Sequence, residues 1–156
     1  MKMKKTMRLI LCMAASLLLG GLTHWLAGDA VGIYRNLYGH PPFSPPVLLF
    51  VLLMPLSALL NGAVMGMLWN RKTKRKRPAF WYYLAHILLA LLSFVVFFRF
   101  GFFKAGAVLL IFCTMVLTYA VYQLFHFDGN LACLTVPYFL WMIFLCYLSV
   151  GITILN

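Results

Sequence analysis

The sequence YGHPPFSPPVLLFVLLMPLSALLNGAVMGMLW, residues 38–69, places four prolines within six residues directly before a long apolar run. The run from Val47 to Trp69 has the roughly 20 residues that a helix needs to cross about 30 Å of hydrocarbon. A transmembrane barrel would instead show strands of about 10 residues with alternating polarity. The stretch therefore predicts a transmembrane helix that follows a stiff connection.

Four further apolar runs have the same character, and they extend from Leu9 to Ala27, Ala79 to Phe98, Ala105 to Phe125 and Leu131 to Leu155. The chain is 65% hydrophobic and 10% charged over 156 residues, which is too much apolar surface for one soluble domain of this size to bury. We predict an all-α membrane protein. Residues 1–156 are expected to form one domain of five transmembrane helices, with a long proline-rich loop between the first two.

The basic residues are distributed unequally between the two expected sides. Ten of the 13 Lys and Arg fall before the first span or between the second and third. They are Lys2, Lys4, Lys5, Arg8, Arg71, Lys72, Lys74, Arg75, Lys76 and Arg77, and only Arg35, Arg99 and Lys104 fall on the other side. By the positive-inside rule the N-terminus is cytoplasmic and the C-terminus extracytoplasmic, in a membrane expected to be the bacterial cytoplasmic membrane.

The basic stretch RKTKRKR, residues 71–77, also resembles a nucleic-acid-binding patch. A basic loop beside a membrane more often sets the orientation of the chain and contacts anionic lipid headgroups. We therefore expect membrane lipid as a partner and no nucleic acid. Residues 1–30 also fit a signal peptide, with a basic start, an apolar middle and small residues near Ala27 and Ala30, so cleavage remains an alternative.

Few side chains could support catalysis. The only carboxylates are Asp29 and Asp128, both at expected helix ends, so no general acid and base can be paired. No two histidines have the i, i+4 spacing of a metal site, and the cysteines show no paired ligand spacing. We expect no catalytic residue, no metal and no required cofactor, which leaves binding as the more plausible activity.

Polar side chains within the apolar runs are expected to face the bundle interior, because facing lipid is costly. Asn61, His86 and Gln123 could line an internal cavity, or they could form hydrogen bonds between helices. The sequence GAVMG, residues 62–66, allows close helix contact, either within one chain or in a homodimer.

The connection between the first two spans is about 17 residues long, from Gly28 to Ser44, and its prolines restrict the backbone. Connections of this length in compact proteins are often functional lids. We expect Ser44 to cap the next helix. The side chains of Tyr34, Tyr38 and Phe43 would then close a hydrophobic pocket from above.

Two motifs resemble the TspO/MBR family, whose members are called translocator protein or tryptophan-rich sensory protein. The sequence IYRNLYGHPPFSPP, residues 33–46, is similar to the family pattern W-Y-x-x-L-x-K-P-x-W-x-P-P. The sequence VPYFLWMIFLCYLSVGITILN, residues 136–156, is similar to V-P-Y-x-x-W-x-x-F-A-x-x-L-N. The five-span layout with a long first loop agrees with the family fold, and the resemblance extends from about Ile33 to Asn156.

The resemblance implies binding of a hydrophobic or tetrapyrrole ligand such as a porphyrin, in a sensor, transporter or scavenger. An apolar, aromatic pocket suits a flat tetrapyrrole. The candidate ligand-binding residues, by family position or by polar character within a span, are Tyr34, Pro45, Phe50, Met54, His86, Tyr138 and Trp141. The alternatives are a porphyrin-degrading enzyme that acts through Trp141, and a ligand-free accessory subunit of a membrane complex.

The chain also departs from the family at several expected pocket positions. Met54 stands where the family usually has Trp, Ala58 where it has Tyr, and Ala90 where it has Asn. Ser93 replaces a further Trp, Leu145 an Ala, and His40 the loop Lys.

Met54 removes the helix-two Trp to which the family's porphyrin photochemistry is partly assigned, and the fifth helix lacks the Leu/Val, Tyr, Lys/Arg sterol pattern because the last Lys or Arg is Lys104. As an alternative to ligand binding, Met54, Ala58, Ala90 and Leu145 could fill the cavity, with the fold retained for protein contacts.

The charge asymmetry can be tested directly. A reporter fused after Asn156 should be extracytoplasmic, because ten of the 13 basic residues lie on the opposite predicted side. Paired phosphatase and fluorescent-protein fusions measure this location. A cytoplasmic reporter, with the 71–77 loop outside, would reverse the orientation and leave the fold prediction intact.

Overall fold

The computed structural model describes residues 5–72 and 76–156, and Lys2, Lys4, Lys74 and Arg75 of the predicted basic side lie outside these ranges. The described residues form helices and their connections, without strands. The helices are α1 (Lys5–Ala27), α2 (Ala30–Arg35), α3 (Val47–Asn70), α4 (Lys76–Phe98), α5 (Phe103–Phe127) and α6 (Gly129–Leu155).

Five of the helices, α1 and α3 to α6, are long and apolar enough to span a membrane, with mean hydropathies between 1.8 and 2.3. This confirms an all-helical integral membrane protein. Some helices extend beyond the apolar runs, so that α1 begins at Lys5 and not at Leu9. Cationic side chains can continue a helix to the membrane surface because their long stems reach the headgroups.

The long helices form a ring in which α1 packs on α3 and α4, α5 lies between α4 and α6, and α6 contacts α3. Consecutive long helices run in opposite directions, so that α1, α4 and α6 run from one end of the bundle to the other and α3 and α5 run back. We call the end with Lys5, Arg71 and Asp128 the basic end, and the end with residues 28–46 and Asn156 the loop end.

Both carboxylates of the chain have structural partners. Asp128 forms an ion pair with Arg71 at the basic end. Asp128 Oδ1 also accepts a hydrogen bond of 3.3 Å from the Leu131 amide and so caps α6. Asp29 caps α2 by accepting a hydrogen bond of 2.9 Å from the Gly32 amide. These contacts stabilise helix N-termini, where backbone amides lack helical partners.

The two glycines of GAVMG lie against α1 of the same chain. A Cβ atom added to Gly62 would lie 2.5 Å from Met13 Cα, and one added to Gly66 would lie 2.8 Å from Leu9 Cα. Backbone atoms cannot yield to such contacts as a flexible side chain can. Of the two alternatives for this motif, the structure thus shows packing within the chain.

The connection between α1 and α3 contains the short helix α2, followed by residues 36–46 without helix. The prediction that Ser44 caps the next helix is wrong. Pro46 is the N-cap residue of α3 and makes no side-chain cap bond. The Ser44 hydroxyl instead donates a 2.7 Å hydrogen bond to the Pro41 carbonyl, which lies three residues back in a turn.

The glycine contact predicts opposite effects of two alanine substitutions. Gly62→Ala should destabilise the protein by about 1–3 kcal/mol, because the added methyl group overlaps the α1 backbone. Gly21→Ala should leave stability unchanged or raise it by up to about 1 kcal/mol, since an added Cβ there meets nothing within 4 Å. Thermal unfolding of both variants in one detergent measures the difference.

Oligomeric state, measured by light scattering on the same samples, provides the control. A change of oligomeric state in Gly62→Ala with no loss of stability would show that the motif joins two copies.

Candidate ligand-binding cavity

A cavity of about 400 Å³ lies between α1, α3, α4 and α6. Its walls come from residues 16–24 of α1, 50–61 of α3, 87–98 of α4 and 138–152 of α6, with Tyr34 of α2 at the loop end. The wall is mostly apolar, and no Asp, Glu, Lys or Arg of the described ranges lines it. A site of this size and polarity suits an uncharged, largely apolar molecule.

Tyr34 connects the cavity to the proline segment. Its hydroxyl donates a 2.9 Å hydrogen bond to the Pro45 carbonyl, and its ring stacks on Phe50 with 4.9 Å between centroids. Burial raises the pKa of the Tyr34 hydroxyl, and a hydrogen bond with Ser44 partly offsets this. The hydroxyl is therefore a neutral donor at physiological pH, and the tyrosine holds α2 and the start of α3 together.

Residues 36–46, which we call the strap, are attached to the C-terminal end of α6. Asn156 Oδ1 accepts hydrogen bonds from the amides of Tyr38 at 2.7 Å and Gly39 at 3.3 Å. Asn156 Nδ2 donates to the Gly39 carbonyl at 2.9 Å, and the Tyr147 hydroxyl donates to the Pro42 carbonyl at 2.7 Å. These protein contacts hold the strap against α6.

Five of the seven predicted ligand-binding residues line the cavity, namely Tyr34, Phe50, Met54, Tyr138 and Trp141. Pro45 and His86 are not part of its wall. Pro45 acts indirectly, because its carbonyl positions Tyr34.

His86 is fully buried behind the wall. Its Nδ1 lies 3.3 Å from Cys113 Sγ, and its ring centroid is 5.3 Å from those of both Tyr83 and Tyr138. The polarity of His86 thus correctly predicted a position in the bundle interior, but the prediction that His86 lines the cavity is wrong. Tyr138 separates His86 from the cavity.

Four further positions at which the chain departs from the family pattern also line the cavity, and they are Ala58, Ala90, Ser93 and Leu145. The first three side chains are smaller than those that the resemblance leads one to expect. The cavity remains open with Met54 and Leu145 on its wall, so these side chains do not fill it.

Three other expected wall residues lie elsewhere. The side chains of Tyr38 and Phe43 point outward and are almost fully exposed, because the strap is attached through its backbone. Phe43 has a positive φ of 62°, an unusual conformation for a residue with a side chain, and this turns its ring away from the bundle. Gln123 lies on the outer surface and donates to the Tyr119 hydroxyl of the same helix.

The α1 wall was missed from the sequence. Gly20, Thr23 and His24 belong to it, yet no motif marks this helix. The signal that was available is the concentration of small and polar residues between positions 16 and 24 of an otherwise apolar run.

A model of the TspO/MBR family matches residues 9–155 of the chain, which include nearly all of the five long helices and the complete strap. No curated protein matches the chain.

The strap contacts predict that Asn156→Ala exposes the amides of Tyr38 and Gly39. Both amides lose their acceptor, so their hydrogen exchange should accelerate about three- to tenfold, as expected for the loss of one or two hydrogen bonds. Exchange is measured by mass spectrometry on peptides from the strap.

Thr153→Val is the matched control, because the Thr153 hydroxyl bonds only to the Ser149 carbonyl of α6. Equal exchange rates of the strap in the two variants would mean that Asn156 does not hold it.

Proposed function

Since the chain belongs to the TspO/MBR family, we propose that it binds a hydrophobic or tetrapyrrole-like ligand in the cavity and acts as a sensor, transporter or scavenger. The observation that supports this proposal is the apolar cavity of about 400 Å³ between four helices. Apolar pockets of roughly 300–1,000 Å³ are typical of small-molecule sites. The ligand would enter a site whose walls exist before it arrives.

The aromatic residues of the wall suit a flat ligand. Tyr34 and Phe50 are nearly parallel, with 4° between their rings, and Trp141 contributes an indole from α6. Planar conjugated molecules gain from offset stacking or edge contacts with such rings, in addition to the burial of apolar area. A tetrapyrrole macrocycle offers both. Its carboxylates would have to remain at the cavity mouth, because no Lys or Arg of the described ranges lines the wall to pair with them.

The strap would serve the proposed ligand binding as a lid that is ordered before the ligand arrives. Its prolines limit the number of unfolded conformations, and Asn156 and Tyr147 fix it from α6. A lid that is already ordered does not add its own ordering cost to each binding event. We propose that the strap retains the ligand in this way.

The charges suggest which way the cavity faces. Arg71, Lys72 and Arg77 lie at the basic end, whereas Arg35 and Lys104 lie towards the loop end. If the basic end is cytoplasmic, the strap lies at the extracytoplasmic surface. A ligand from that side, or from the outer leaflet, would meet the strap first.

Trp141→Phe tests the aromatic wall. It keeps an apolar ring and removes the indole, so affinity for protoporphyrin IX should fall about two- to tenfold, which corresponds to a stacking contribution of about 0.5–1.5 kcal/mol. Titration followed by the porphyrin Soret band in the dark measures affinity. The same titration under light separates binding from degradation, since bleaching faster than that of free porphyrin would favour an enzyme.

Trp25→Phe is the matched control, because Trp25 is exposed and belongs to no cavity wall. Affinity losses of equal size in both variants, or no saturable porphyrin binding to the unmodified protein, would contradict the proposal for this ligand.

A further inference from the structure

The hydroxyl groups on the cavity wall are mostly engaged by the protein. Ser57 donates to the Met54 carbonyl at 2.7 Å, Ser93 to Gly106 at 2.9 Å, and Ser149 to Cys146 at 3.0 Å. Thr23 likewise donates to the Leu19 carbonyl at 2.7 Å. These groups have already used the one proton that each could offer to a ligand.

Asn61 differs from these residues. Its side chain is buried, with 8% of its surface exposed, and it lines the cavity. Its Oδ1 accepts a 2.7 Å hydrogen bond from the Tyr83 hydroxyl, so the amide is held in one orientation. Within residues 5–72 and 76–156, its Nδ2 donates no hydrogen bond that meets the usual geometric limits. A carboxamide nitrogen carries two donor hydrogens. The Tyr138 hydroxyl interacts with the Asn61 side chain and can accept at most one of them, and leaving the other unpaired in an apolar site is costly.

The groups around Asn61 form a polar cluster on one side of the cavity. The Tyr138 hydroxyl is within hydrogen-bonding reach of the Asn61 side chain, and Tyr138 also lines the cavity. Behind them, His86 Nε2 is buried and has no partner among the described residues. The other polar side chains on the wall without a hydrogen-bond partner among residues 5–72 and 76–156 are Ser16, His24 and Trp141, and all three are partly or largely exposed. Asn61 and Tyr138 are therefore the buried polar part of this wall.

We propose that the Asn61 amide, oriented by Tyr83 and flanked by Tyr138, recognises a carbonyl oxygen on an otherwise apolar ligand. This inference rests on the proposed function of the cavity and adds the chemical class of the ligand. Nδ2 is a donor, so the matching group is an acceptor. The surrounding wall offers no Lys or Arg, so the acceptor is a neutral ketone, quinone, amide or ester oxygen and not a carboxylate.

A pair of planar tricyclic probes isolates this contact. Fluorenone and fluorene have nearly the same shape, and they differ in a carbonyl in place of a methylene group. The full-length protein in detergent micelles is equilibrated with each probe, and binding is corrected for partition into protein-free micelles. We expect fluorenone to bind about three- to tenfold more tightly than fluorene, because it can form one additional hydrogen bond with the protein.

The double variant Asn61→Leu with Tyr83→Phe removes the amide without leaving the Tyr83 hydroxyl unpaired. It should bind fluorene as well as the unmodified protein does and should lose the preference for fluorenone. Thr135→Val is the matched control, because Thr135 is a buried polar residue outside the cavity wall and its hydroxyl is bonded to the Leu131 carbonyl of its own helix. This control should keep the preference.

A second measurement needs no variant. The carbonyl stretching band of fluorenone bound to the unmodified protein should lie at a lower wavenumber than the band of fluorenone in an apolar solvent, because a hydrogen bond to the carbonyl oxygen lowers this wavenumber. Saturable binding of both probes with equal affinity and an unshifted band would overturn the recognition by Asn61 and leave the cavity function standing. A preference that survives in the double variant would also overturn it. Absence of saturable binding of either probe to protein that binds protoporphyrin IX would overturn the recognition by Asn61 and leave the cavity function standing, whereas absence of both probe and porphyrin binding would overturn both proposals.

Discussion

Inside hydrocarbon, a helix must satisfy its own backbone hydrogen bonds, and burial of apolar side chains no longer favours one helix arrangement over another. Close van der Waals contact then determines which helices pair. In this chain the backbones of α1 and α3 approach each other closely at Gly62 and Gly66. This contact lies nearer the basic end, whereas the cavity occupies residues 16–24 and 50–61 of the same two helices, towards the loop end. The glycine contact thus holds α1 and α3 together without closing the cavity.

The loop end is stabilised under different conditions from the membrane-spanning part, because water there competes for every hydrogen bond. Proline removes the amide proton, so the four prolines of the strap leave fewer donors that need partners. Their carbonyls remain as acceptors. Those of Pro41, Pro42 and Pro45 accept from the hydroxyls of Ser44, Tyr147 and Tyr34, respectively. The strap is therefore a backbone segment that side chains of neighbouring elements hold in place, and its own aromatic side chains are free to point outward.

The existence of the helices could be predicted from run length alone, whereas their rotation about their axes could not. Each spanning helix is apolar on nearly every side, so hydropathy does not indicate which face meets the cavity. Tyr34 and Trp141, which line the cavity, could be predicted because they belong to the two recognisable motifs. The sequence prediction placed His86 on the cavity wall, whereas it lies behind Tyr138. Polarity predicts that a side chain faces the bundle interior, but it does not predict on which side of Tyr138 the His86 ring lies. The outward direction of Tyr38 and Phe43 depends on the distant Asn156 and Tyr147, which sequence spacing does not connect to the strap.

Asn61 illustrates why the two interpretations of a buried polar residue need not exclude each other. Its oxygen accepts the interhelical hydrogen bond from Tyr83, and the residue also lines the cavity. The first contact makes the second more selective, because an amide fixed by one partner presents its donors in a defined direction and loses less entropy on binding. Ala58, Ala90 and Ser93 contribute space on the same wall and few contacts. With fewer large side chains to enclose a ligand, discrimination would depend more on the remaining aromatic rings and on this amide, since a site built to hydrogen-bond one group rejects molecules that lack it.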